Sequence, residues 1–253
     1  MTSQKDYDIC ITFDMTCSMR PCLLQVRDEI IRLLGSIKKE LPYARLGLIT
    51  HGDYDSSTYV TRHMNFTNDY NEVQRYVSNV EDAGSNGWNN GEAYEKVLNV
   101  AKTMNWSEEA EKILIVIGDD IPHIPTYSGN KENLDWRKEL SDLHDMGVIT
   151  YGVHAPTLSR ERARFFYSEL SKDSLNGEII PLNQFIYIVD ILIAVIYRQE
   201  GAETLEGFEK QLEKEQRYNR NLEIVFNNLL ERDDANRMGH RFTPQASSGT
   251  GYR

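Results

Sequence analysis

The sequence predicts one α/β domain, a doubly wound, mostly parallel sheet with one antiparallel edge strand, followed by a C-terminal helical extension. Three observations predict it. Short apolar runs alternate with longer stretches of helical period, as in strands joined by crossover helices. The run Ile113 to Ile117 is too continuous for a strand with one wet face, so it reads as central and covered on both sides. The turn-rich GDYDSS joins two strand-like segments and is too brief for a crossover, so that pair is antiparallel. With 253 residues, 40% of them hydrophobic, the chain supplies one sizeable core.

The first strand spans about Ile9 to Phe13 and ends at Asp14. Pro21 suits a first helical turn, and Leu23, Val26, Ile30, Leu33, Ile37 and Leu41 recur every three or four residues until Pro42. Strands follow at about Ala44 to Thr50 and Tyr59 to Phe66, then a helix at Asp69 to Val80 and the loop EDAGSNGWNN. A further helix begins near Gly91 with Ala93, Val97, Ala101 and Met104 on one face, and the central strand Ile113 to Ile117 follows. A helix from Leu134 to Met146 closes on Gly147, Val148 to Val153 is a strand, and a helix near Thr157 to Ser171 leads to a short strand at Glu178 to Leu182. Phe185 to Tyr197 is the last core helix, so the α/β unit occupies residues 1–200. Residues 201–232 read as two charged amphipathic helices broken near Tyr218, with Leu205, Phe208, Leu212, Leu222, Val225, Phe226 and Leu229 apolar. Residues 233–253 have little to bury and read as a disordered tail.

A net charge of −11, from 28 basic and 39 acidic residues, argues against a phosphate-tracking nucleic-acid binder and for cations or basic partners. From Gly201 to Arg253 nine acidic residues face eight basic ones, so nearly all the excess lies in the α/β unit. Cys10, Cys17 and Cys22 are too clustered for a disulfide framework and suit a reducing compartment. The start MTSQKDYD lacks the pattern of a secretory signal, and the expected location is cytoplasmic. FIYIVDILIAVIY is shorter than the roughly 20 residues of a membrane span and carries Asp190, so no membrane insertion is expected.

Asp14 opens Asp14-Met15-Thr16-Cys17-Ser18, a carboxylate and two hydroxyls at every second position. Asp119 ends a second central strand, and ligands of open α/β sheets collect beyond such carboxyl ends. Two carboxylates, two hydroxyls and water form a hard, all-oxygen set suited to Mg²⁺ or Mn²⁺. Thr or Ser after a strand also caps the next helix, and a lone Asp119 serves a turn equally well. It is the pair at one rim that favours a metal. His51, His63, His123 and His154 are scattered near strand ends and read as packing or hydrogen-bonding residues, and Cys17 as a small residue filling a tight turn.

FDMTCSM, running straight into an amphipathic helix, resembles the DxSxS signature of von Willebrand factor type A (vWA) domains, with Thr16 for the first Ser. GSNGWNNGEAYEKVL and IVIGDDIPH are similar to that family's second and third segments, in particular to the intracellular branch that includes A-domains of alpha-kinase-type proteins. The likeness covers about Asp6 to Glu200 and implies a Rossmann-like vWA fold with a metal-ion-dependent adhesion site (MIDAS). It implies Asp14, Thr16, Ser18 and Asp119 as metal residues, with a partner's Asp or Glu completing the shell. One departure stands out: Trp88 occupies the place of the second-loop Thr, leaving Asn89 or Asn90 to offer a side-chain oxygen. Trp88 itself reads either as a partner anchor or as an aromatic tucked onto its own domain. The loops GDYDSS, GSNGWNN and IPTYSGN would supply selectivity.

Two other functions compete with this non-enzymatic interaction module. DMTCS and GDD also resemble the phosphorylation loop and acidic Mg²⁺ motif of haloacid-dehalogenase-like phosphotransferases, with Asp14 as nucleophile. Against that, Thr16 stands where the second Asp belongs, no flap follows the first strand, and Lys112 lies at the wrong end of its strand. The third reading is a scaffold with a vestigial metal site, docking partners on the helices after Thr204.

Overall fold

In the computed structural model, which describes residues 6–20, 27–28, 31, 34–35, 37–39, 41, 43–84, 91–155, 161–175, 179–181 and 188–230, the apolar runs become strands. They are β1 (Tyr7–Asp14), β2 (Arg45–His51), β3 (Thr61–Thr67), β4 (Glu111–Gly118), β5 (Val148–His154) and β6 (Ile180–Pro181). They form a six-stranded sheet in the order β3-β2-β1-β4-β5-β6. All pairings are parallel except β2 with β3, the antiparallel edge that the short GDYDSS turn requires.

The helices are α1 (Tyr70–Asn79), α2 (Tyr94–Lys102), α3 (Trp136–Asp145), α4 (Glu161–Leu170), α5 (Lys172–Leu175), α6 (Ile188–Glu200), α7 (Ala202–Lys214) and α8 (Arg220–Leu229). Caps set several boundaries. Asp69 accepts from Asn71 N and Glu72 N at the start of α1, and Asp135 accepts from Arg137 N, which starts α3 after Leu134. Gly147 takes φ +77° after α3, a left-handed step that glycine makes without strain. The helix expected near Gly91 begins only at Tyr94, because Glu92 is held in an extended bridge with Pro122. The helix expected after Pro21 is described only in pieces, with Leu34, Ile37 and Leu41 buried. Trp88, Asn89 and Asn90 lie outside the described residues, as does the tail 233–253.

The two-residue period of the strands divides the core between the sheet's faces. Ile9, Ile11 and Phe13 of β1 and Ile113, Ile115 and Ile117 of β4 point to one face, where Val73 and Val77 of α1 cover them. Cys10, Leu114 and Val116 point to the other, under α2, α3 and α4. The C-terminal helices join the first face. Leu205, Phe208, Leu212, Leu222, Val225, Phe226 and Leu229 are buried in the same cluster as the sheet residues, and Asp190 of α6 is paired with Arg217 between α7 and α8. The apolar stripe that the scaffold reading offered to partners is therefore occupied by the chain's own core. Among the described residues no helix is long and apolar enough to cross a membrane.

Candidate functional site

Strand order turns about the β1/β4 pair: β1 leads outward to β2 on one side and β4 to β5 on the other. At such a switch point the following loops diverge and leave a crevice beyond the carboxyl ends. Phe13 pairs with Ile117, so Asp14 and Gly118 finish side by side, and the segments after them line that crevice.

The chain then turns sharply. Asp14 Oδ1 accepts from Thr16 N at 2.7 Å, and a short 3₁₀ turn over Cys17–Met19 follows. Thr16 Oγ1 lies 3.1 Å from Ser18 Oγ, which donates to Asp119 Oδ1 at 2.9 Å. Asp14, Thr16, Ser18 and Asp119 are thus brought together from two loops. Asp14, Thr16 and Asp119 are buried while Ser18 and Cys17 are half-buried, so the cluster meets solvent on the Ser18 side. Asp120, the second acid of GDD, instead accepts from Ile121 N at 2.9 Å, which shapes the third loop.

Tyr94 organises this rim. Its hydroxyl donates to Asp14 Oδ2 at 2.9 Å and accepts from Asp119 N at 3.2 Å and from Tyr167 OH at 3.0 Å. Sequence reading passed over it, although Tyr94 lies three residues before Val97 on the buried stripe of α2. A buried tyrosine needs a partner for its hydroxyl, and that was the available signal. A Cβ at Gly118 would collide with this hydroxyl, so the strand end must be glycine for Tyr94 to reach across.

The acids crowd one another. Burial raises Asp14 to about 6, opposed by its bonds from Thr16 and Tyr94. Burial, then the charges of Asp14, Asp53 and Asp119, pushes Glu92 up to about 10. Burial also lifts Glu95 to about 7. His51 is driven down to about 4 by burial and so is neutral at pH 7. Its Nδ1 donates to Gly52 O at 3.0 Å, leaving an unpartnered lone pair on the buried Nε2. His123 Nε2 sits 2.7 Å from Asp53 Oδ1, and its ring stacks on Tyr127 at 3.8 Å. Its backbone N donates to Glu95 Oε2 at 3.0 Å, so His123 bonds and packs as the sequence suggested, and Asp53 and Glu95 are acids that the sequence reading had not tied to the rim.

Among the described residues no three His, Cys, Asp or Glu side chains are placed to hold a metal between them. A zinc-like centre is absent from that set. What is present is two carboxylates linked by two hydroxyls, a donor chemistry that fits a hard divalent cation with water completing its shell.

A doubly wound sheet with a DxTxS loop and a second strand-end aspartate at its switch point defines a von Willebrand factor type A domain. The chain belongs to that family, whose model matches residues 8–176, from β1 to the end of α5. It is similar to Alpha-protein kinase vwkA of Dictyostelium discoideum, with 21% identity over 249 residues covering 88% of this chain and 40% of that protein. The chain thus spans less than half the length of that relative. Among solved structures it resembles conserved hypothetical protein BatB from Bacteroides thetaiotaomicron, at 16% identity and TM-score 0.44, covering 59% of this chain and 66% of that one. It also resembles the pilus adhesin SpaC from Lactobacillus rhamnosus GG in its open conformation, at 18% identity and TM-score 0.45, covering 61% and 24%.

Proposed function

We propose that the chain is a non-enzymatic, cation-dependent protein-interaction module. It would bind the carboxylate of an Asp or Glu on a partner protein through Mg²⁺ or Mn²⁺ held by Asp14, Thr16, Ser18 and Asp119. The observation that carries this reading is the contact between the loops: Ser18 Oγ lies 3.1 Å from Thr16 Oγ1 and 2.9 Å from Asp119 Oδ1. Family membership supports it further. When bound, the ion supplies an electrophilic position for an anionic oxygen.

The chain's residues have distinct tasks in this reading. Thr16 and Ser18 offer neutral oxygens, which leave more of the ion's charge for the partner than carboxylates would. Asp14 and Asp119 balance the remainder, and Tyr94 keeps Asp14 turned toward the crevice. Asn89 or Asn90 would supply the second-loop oxygen and Trp88 a contact to the partner, roles that rest on their positions in the sequence. Residues 1–200 form the recognition unit, 201–232 brace it, and 233–253 are dispensable for binding. Cys10 is a buried free thiol, which suits a cytoplasmic setting.

The test is a pull-down with purified protein in Mg²⁺. Capture should be lost with EDTA and with Ser18→Ala, and retained when residues after Asp233 are removed. Captured proteins that ignore both EDTA and Ser18→Ala would overturn the reading.

A further inference from the structure

Glu92 sits where the second and third loops meet. Its backbone bridges Pro122, and its N donates to Ile121 O at 2.9 Å. The loops approach closely because Gly91 precedes it at φ +142°, with the position of a Cβ only 3.0 Å from Ile121 O. The Glu92 side chain is 4% exposed, and its Oε2 has no hydrogen-bond partner among the described residues. The charges acting on it most strongly are Asp14, Asp53 and Asp119, those of the rim itself. Serving the dipole of α2 would explain an acid here, but not one buried with an oxygen left unpaired. An unpaired buried acceptor is costly, and a fold that keeps one needs a reason.

We propose that Glu92 belongs to the metal centre, where Oε2 accepts a hydrogen bond from a water on the bound divalent ion. It adds an outer acceptor beside the Asn89 or Asn90 oxygen that would stand in for the Thr this chain lacks at Trp88. The inference rests on the metal reading above. The intervening water follows from the geometry, because no three His, Cys, Asp or Glu side chains among the described residues are placed to share an ion. Glu92 is therefore assigned to a water of the ion rather than to the ion itself. Mg²⁺ retains several of its waters, and a water turned toward Glu92 finds the acceptor that the protein leaves free. Outer acceptors of this kind orient the ion's shell and contribute to its affinity.

The experiment titrates MgCl₂, and separately MnCl₂, into wild type, Glu92→Gln, Glu92→Ala and Asp14→Ala by calorimetry, with metal-free melting temperatures measured in parallel. We expect Asp14→Ala to abolish binding and Glu92→Ala to weaken it about 10- to 100-fold. Glu92→Gln, which keeps the shape but loses the charge, should fall between wild type and Glu92→Ala, and it decides the matter if the alanine variant does not fold. Metal-free, Glu92→Gln should melt no lower than wild type, since Oε2 has no partner among the described residues to lose. Unchanged affinity in the Glu92 variants, beside a wild type that binds and an Asp14→Ala that does not, overturns the role of Glu92 and leaves the metal site standing. A metal-free melting temperature clearly below wild type in Glu92→Gln makes the residue structural and overturns it equally. A wild type that binds neither ion removes the site and this inference together.

Discussion

Replacing Tyr94 by Phe deletes one oxygen and leaves the ring packed against Phe166 and His51. That oxygen donates to Asp14 Oδ2 at 2.9 Å and accepts from Asp119 N at 3.2 Å and from Tyr167 OH at 3.0 Å. A hydrogen bond to a charged group contributes about 1.5–3 kcal/mol and a neutral one about 0.5–1.5 kcal/mol. The three are not additive, because Tyr167 can turn and the loop can relax. A net loss of about 3 kcal/mol is the expected result, a large share of the roughly 5–15 kcal/mol that holds a domain folded. Urea unfolding in EDTA measures it, and an unchanged slope with a lowered midpoint marks a loss of stability rather than a different unfolded state. Since the Tyr94 bond favours ionised Asp14, the variant should also bind Mg²⁺ more weakly. A midpoint shift worth less than about 0.5 kcal/mol, within the usual range for a substitution that breaks nothing, would refute the idea that this hydroxyl organises the rim.

Other expectations follow from the same contacts. Mg²⁺ should raise the melting temperature of wild type but not of Asp14→Ala, and a shift in both would move the site elsewhere. Asp14, Glu92 and Glu95 are raised by burial to about 6, 10 and 7, so each binds protons more tightly folded than unfolded, and stability is lost as pH climbs from the unfolded to the folded value. His51, lowered to about 4, acts in the opposite sense and is finished by about pH 6.5. Between about pH 7 and 8 most of the remaining slope belongs to Glu92: metal-free wild type should lose up to about 1.4 kcal/mol per pH unit, and Glu92→Gln should be clearly flatter. A flat wild type would contradict this. Phe226→Ala should cost about 3–5 kcal/mol in the same unfolding assay, and a loss below about 1 kcal/mol would mean that α8 is not part of the core. Phosphatase turnover on small phosphate esters should be undetectable; steady Mg²⁺-dependent phosphate release, lost in Asp14→Asn, would revive the phosphotransferase reading.

The sheet was legible in the sequence because each parallel strand is a buried apolar run, and Asp14 and Asp119 stood out as acids directly after two of them. The rest of the rim depends on contacts between distant parts of the chain. Nothing local joins Asp53 to His123, 70 positions apart, or Tyr94 to Asp14, 80 positions apart. Glu92 and Glu95 look like the acids that commonly open a helix, and only the closure of the second loop onto the third sets them among the other carboxylates. Helix boundaries moved where side chains capped them, as at Asp135, or where the backbone was needed elsewhere, as at Glu92. The burial of Leu222 and Phe226 could not be read from their spacing, which fits a stripe packed at home as well as one offered to a partner.

The two outer strands bear on self-association. At one end of the sheet β3 exposes Arg62 and His63, and its pairing with β2 shifts register between Leu46 and Leu48. At the other end the described part of β6 is two residues long. Charge, irregular register and shortness are the features that keep unpaired backbone from serving as a template for another strand. A net charge of −11 adds repulsion between copies at a distance. The described edges of the sheet are therefore poorly suited to extending its hydrogen-bond ladder into a neighbouring copy.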